Sequence, residues 1–99
     1  MNLRQAVELL DRLDADQIIY VQRDVPARAE SGVVVDFSSD DGEPPASAIG
    51  MRYLLEVSLA RNVVRVWSEW REGRSPSTEE KIEAIVYYAE HDAFQPIDG

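Results

Sequence analysis

The sequence predicts a two-layer α+β domain in which a three-stranded antiparallel meander packs against three helices, in the order α-β-β-β-α-α. In three segments, apolar residues recur at three- and four-residue steps, which is the spacing of one helix face. Three short runs rich in β-branched and aromatic residues lie between the first and second of these segments. With 99 residues and 44% hydrophobic residues, the chain has the size and composition of one globular domain over residues 1–99.

The first and last predicted helices each have a recognisable beginning. Asn2 is a favoured N-cap residue for the first helix. The apolar face that follows consists of Leu3, Ala6, Val7, Leu10 and Leu13. The stretch 77–80, Ser-Thr-Glu-Glu, has the S-x-x-E form of a capping box and begins the last helix. The apolar stripe of that helix consists of Ile82, Ile85, Val86, Ala89 and Ala93.

The three predicted strands cover residues 18–21, 33–37 and 51–58. The third strand alternates apolar and polar residues except at Leu54, which breaks the pattern. Residues 38–50 separate the second strand from the third and concentrate serine, aspartate, glycine and proline. We therefore predict a long, mobile acidic loop over residues 38–50.

Residues 59–72 are expected to form the second helix. Their apolar residues, spaced by three or four, are Ala60, Val63, Val64, Trp67 and Trp70, and Gly73 is placed to end the helix. The alternative is a hairpin that turns at Arg61 and Asn62, but tight hairpins favour glycine at the turn. On the helical interpretation both tryptophans belong to the core, although indole rings are also common at partner interfaces.

Composition disfavours several classes of function. With no cysteine, the chain has no disulfide and no thiolate metal site, and it fits a reducing cytoplasm. We expect neither a signal peptide nor a membrane span, and therefore predict a cytoplasmic protein without membrane association. The net charge of −9 disfavours nucleic-acid binding and favours a basic partner. Solubility alone is the simpler explanation of this charge.

No motif predicts an enzyme, a cofactor or a metal site. The chain contains neither a phosphate-binding glycine loop nor a nucleophile elbow. Residues 36–42 begin like an EF-hand loop, but glycine occupies the seventh position and Ser47 the twelfth. The only histidine, His91, falls near the end of the last helix, where a cation interacts favourably with the helix dipole. A small enzyme using His91 is the less favoured alternative.

A partner-binding site is predicted in the acidic loop and its flank. The residues proposed to bind a basic protein are Asp36, Asp40, Asp41 and Glu43. The alternative is a structural or housekeeping homodimer that pairs through a sheet edge or through Trp70 and Tyr87.

The C-terminal half carries a resemblance to known proteins. Residues 67–94, beginning W-S-E-W-R-E-G-R-S-P, together with Y-L-L-E-V at 53–57, resemble small bacterial proteins of unknown function, some of them near toxin-immunity loci. The resemblance implies a binding protein and supplies no catalytic residues. We therefore predict a non-catalytic protein-interaction domain, an immunity- or antitoxin-like inhibitor of a basic partner.

Overall fold

A computed structural model describes residues 1–23, 26–38 and 43–96 of the chain. The helices are α1 (Leu3–Glu8), α2 (Val57–Glu69) and α3 (Thr78–His91), and the strands are β1 (Ile18–Gln22), β2 (Val33–Asp36) and β3 (Met51–Glu56). Short 3-10 helices cover Leu10–Arg12 and Ala46–Ala48. The α+β class and the order of helices and strands are as predicted, with these two 3-10 helices in addition.

The three strands form one antiparallel sheet in the order β2-β1-β3. Antiparallel pairing is confirmed, but the predicted meander is wrong, because a meander would place β2 in the middle. The connection over residues 37–50 is long enough to take the chain from one edge of the sheet to the other. The central position suits β1, whose residues Ile19, Tyr20 and Val21 are all buried.

Leu54 breaks the alternation in β3 because it is the extra residue of a β-bulge. Ile19 lies opposite Leu55, while the next residue, Tyr20, lies opposite Tyr53, so the register shifts between them. Leu54 and Leu55 are each 3% exposed. The bulge thus lets two consecutive leucines enter the core.

The second helix is confirmed, and the hairpin alternative is wrong. Helix α2 follows β3 directly, so it begins two residues before the predicted start. Its first N–H groups are capped by backbone carbonyls, with Val57 donating to Gln17 at 2.9 Å and Ser58 donating to Ala15 at 3.2 Å. Gly73 follows the helix with φ +80°, and its N–H donates to the carbonyl of Ser68 at 2.8 Å.

The N-cap predicted at Asn2 and the capping box predicted at Ser77 are both present, and Asn2 forms a capping box as well. The Asn2 side chain accepts from the N–H of Gln5, whose side chain accepts from the N–H of Asn2, each at 2.9 Å. Ser77 and Glu80 exchange the same pair of hydrogen bonds at the start of α3. Helix α3 ends at His91, so Ala93 is exposed outside the helix rather than part of its apolar stripe.

The core lies between one face of the sheet and the helices. Cross-strand pairs place Ile19 beside Leu55 and Val21 beside Val33 on that face. The helical residues that pack against it include Leu3, Ala6, Val7, Ala60, Val63, Trp67, Ile82, Ala84 and Ile85. This is the predicted arrangement of a sheet covered by helices.

The two tryptophans differ in environment. Trp67 is 6% exposed and belongs to the core. Trp70 is 47% exposed and touches the ring of Phe94, with 5.7 Å between centroids. The prediction that Trp70 is a core residue is wrong: it is the C-cap residue of α2, and its ring packs against Phe94 of the C-terminal segment while about half of its surface stays exposed.

Within the described residues, no helix combines the length and apolar character needed to cross a membrane.

Candidate partner-binding groove

The acids predicted to bind a partner are only partly within the described chain. Asp36 accepts hydrogen bonds from the Ser47 hydroxyl and from the Phe37 N–H, each at 2.8 Å. The bond from Ser47, followed by that from Phe37, lowers the pKa of Asp36. Asp36 therefore ties the end of β2 to the Ala46–Ala48 turn. Glu43 is exposed, and Asp40 and Asp41 lie outside the described residues. A partner-binding role for these four acids stays a prediction.

A groove of about 450 Å³ opens on another part of the surface, between α3 and residues 27–29. Helix α3 contributes Glu79, Ile82, Glu83, Val86, Tyr87 and Glu90, and the opposite wall consists of Ala27, Arg28 and Ala29. Gln95 lines the groove from the segment after α3. We call this the α3 groove.

The opposite wall is held in place by hydrogen bonds to the start of α1. The N–H of Leu3 donates to the backbone carbonyl of Ser31 at 2.9 Å, and the N–H of Arg4 donates to that of Ala29 at 3.0 Å. Ser31 is 4% exposed, and its hydroxyl accepts from the N–H of Arg28 at 3.0 Å. These bonds satisfy N–H groups that a helix leaves unpaired at its beginning. These bonds tether this side of the groove to the start of α1.

The α3 wall has an apolar floor and an acidic rim. Ile82 is buried and Val86 is half-buried, whereas the three groove glutamates are exposed. Those glutamates, Glu79, Glu83 and Glu90, follow one another along one face of the helix. The distance along the axis from first to last is about 16 Å, at about 1.5 Å per residue.

Two of the rim carboxylates are unmatched by a cation. Glu79 forms an ion pair with Arg4. Within the described residues, Glu83 and Glu90 have no hydrogen bond or ion pair. Glu80, which points to the other side of α3, accepts from the Ser77 N–H and pairs with Arg74, each at 3.0 Å. The bond from Ser77 is the largest cause of the lowered pKa of Glu80.

His91 lies beside the groove rather than in it. Its exposed imidazole packs against the ring of Tyr87, with 4.3 Å between centroids. The residues that line the groove do not include His91. Catalysis by His91 would need a concave site around its imidazole. In the described structure that imidazole is exposed at the end of α3.

Sequence reasoning missed the groove because it forms between segments about fifty residues apart in the chain. The only local signal was the helical spacing of the glutamates on the last helix, and this pattern is also typical of a solvated face. Nothing in residues 27–29 marks them as the opposite wall.

Comparison with known proteins places the chain in a family. A domain of unknown function, DUF7716, matches residues 1–97. The chain belongs to the DUF7716 family. The DUF7716 match includes both walls of the α3 groove, and it extends well beyond the C-terminal half that carried the sequence resemblance. No curated protein and no solved structure matches this DUF7716 chain.

Proposed function

We propose that this DUF7716 protein is a non-catalytic protein-interaction domain that binds a basic partner through the α3 groove. The observation that carries the proposal is that Glu83 and Glu90, which have no ion pair within the described residues, lie beside an apolar floor. A protein partner buries apolar surface at such a floor, while its cations meet the carboxylates at the rim.

The charge of the whole chain supports a basic partner. The net charge is −9, which attracts cations over a distance of about one Debye length, roughly 8–10 Å at physiological salt. Attraction of this kind raises the rate of association and weakens as salt is added. The acids Asp36, Asp40, Asp41 and Glu43 would add to the same field.

We further propose an inhibitory role, of the immunity or antitoxin kind, in the bacterial cytoplasm. The resemblance of residues 53–57 and 67–94 to small bacterial proteins of unknown function, some of them near toxin-immunity loci, supports this role. An acidic domain that covers a basic active surface can block it without any chemistry of its own.

Affinity capture with matched charge variants tests the proposal. The tagged protein, its groove variant Glu83→Gln/Glu90→Gln and a control variant Glu8→Gln/Glu72→Gln are incubated with lysate of the source cells at low and raised salt. Both variants lose the same charge, and Glu8 and Glu72 are exposed outside the α3 groove. We expect a basic protein that the wild type and the control retain at low salt and the groove variant loses. Equal retention by all three proteins would contradict binding at the groove.

A structural homodimer is the second candidate, and the exposed ring of Trp70 favours it. Trp70 and Phe94 together present aromatic surface beside the end of α2. Light scattering tests this candidate, since a strict monomer at high protein concentration would exclude it.

A further inference from the structure

The Tyr87 ring stands between two carboxylates on the α3 wall of the groove. Glu83 precedes it by four residues and Glu90 follows it by three, so the three side chains share one face of the helix. Neighbouring Cβ atoms at such spacings are about 5–6 Å apart. His91 packs against the Tyr87 ring from the following turn, at 4.3 Å between centroids, which restricts the orientation of the ring.

We propose that this end of the groove binds an arginine side chain of the basic partner in preference to a lysine; the inference rests on the proposed function. A guanidinium group is planar and weakly hydrated, so it can stack on an aromatic ring while its N–H groups donate to carboxylates. An ammonium group is compact and strongly hydrated, and gains less from the ring. The apolar stem of the arginine would lie along Ile82 and Val86.

Elsewhere in the protein, one guanidinium group is already held by an aromatic ring together with a carboxylate. Arg74 lies over the Trp67 ring, 4.8 Å from its centroid, and its Nη2 is 3.0 Å from Glu80 Oε2. Arg71 also lies over that ring, at 4.3 Å. An aromatic ring beside a glutamate therefore positions an arginine at one place on this surface. Glu83, Tyr87 and Glu90 repeat the combination, and no described cation fills it.

The cations near the groove limit the site to its Glu83–Glu90 end. Arg4 pairs with Glu79, which places its positive charge at the Glu79 end of the groove. Arg28 lines the opposite wall. The Arg4 charge disfavours a ligand cation at the Glu79 end, whereas a flexible basic peptide can still place one side chain at the Glu83–Glu90 end. The geometry therefore fits one arginine, which enters between Glu83 and Glu90.

Two peptides of equal length and charge, hexa-arginine and hexa-lysine, test the inference by titration calorimetry with the purified protein. We expect hexa-arginine to bind about three- to fivefold more tightly, as expected for a partly exposed cation–aromatic contact. Tyr87→Leu should bring the ratio of the two affinities to about one, whereas Tyr87→Phe keeps a ring and should preserve the ratio. Circular dichroism confirms that each variant remains folded.

The charge variants separate failure of this inference from failure of the proposed function. Glu83→Gln/Glu90→Gln should weaken the binding of hexa-arginine about tenfold at 0.15 M salt. Glu8→Gln/Glu72→Gln should weaken it less than about twofold. If the wild type binds the two peptides equally and the groove variant binds both more weakly, the arginine inference is overturned and the proposed function stands. Equal weakening by both double variants, or no binding of either peptide, would overturn both.

Discussion

Trp67 and Trp70 lie three residues apart, yet one is 6% and the other 47% exposed. We expect Trp67→Ala to lower the free energy of unfolding by about 3–5 kcal/mol, because it leaves a cavity in the core. Trp70→Ala should lower it by less than about 1 kcal/mol, since that ring keeps much of its contact with water. Urea unfolding of the two variants measures the difference. Equal losses would contradict the placement of the two rings.

The carboxylate of Glu80 makes stability depend on pH. Its pKa is lowered by the hydrogen bond from the Ser77 N–H and by Arg74. A lowered folded-state pKa contributes stability above the unfolded pKa, and this stability is lost as pH falls through the folded value. We therefore expect the wild type to lose more stability than Glu80→Gln when pH falls from about 5 to about 3.

The control for Glu80 lies one turn later on the same helix. Glu83→Gln removes the same charge without touching the capping box between Ser77 and Glu80. Its stability should follow the wild-type pH dependence more closely than that of Glu80→Gln, measured by urea unfolding at each pH. Identical profiles for the wild type and Glu80→Gln would show that the capping carboxylate has no such effect.

The elements are held to one another by polar contacts as well as by the core, and Arg61 of α2 provides one. Its Nε and Nη2 donate to the carbonyl of Leu10 at 3.1 and 2.9 Å, and Nη2 also donates to the carbonyl of Leu13. These carbonyls belong to the 3-10 helix after α1 and to its C-cap. One half-buried guanidinium thus joins α2 to the end of the first helical segment.

We expect Arg61→Met to lower the free energy of unfolding by about 1.5–3 kcal/mol, because the carbonyls lose charge-assisted hydrogen bonds. Arg65→Met is the matched control on α2. Arg65 is exposed and pairs with Glu69 at 2.6 Å, an i,i+4 contact worth about 0.3–0.5 kcal/mol. Denaturant unfolding compares the two. A loss at Arg61 no larger than at Arg65 would contradict its role between the elements.

Elements governed by local rules were predictable from the sequence. The N-cap at Asn2 and the capping box at Ser77 act within a few residues, so the pattern predicted where α1 and α3 begin. Gly73 indicated an end of α2 at residue 72, three residues after the observed end at Glu69. The start of α2 was misplaced because its N–H groups are capped by Ala15 and Gln17, residues distant in the chain. The sheet order and the bulge at Leu54 also depend on pairing between distant strands.

At the scale of the whole molecule, the charge predicted a basic partner but not where that partner binds. The acidic residues of 36–43 are concentrated in the sequence, and the sequence therefore predicted the partner-binding site there. The glutamates of the α3 groove are dispersed along a helix and acquire an apolar floor and an opposite wall only after residues 27–29 pack beside them. Tertiary packing therefore suggests a different surface from the one that local charge density suggested.

The central claim is that a basic ligand binds at the α3 groove, and amide chemical shifts of the ¹⁵N-labelled protein titrated with hexa-arginine test it most directly. We predict that the largest shifts fall at residues 27–29 and 79–91 and that Glu83→Gln/Glu90→Gln reduces them. Shifts centred on residues 36–43, or spread evenly over the acidic surface, would contradict the claim.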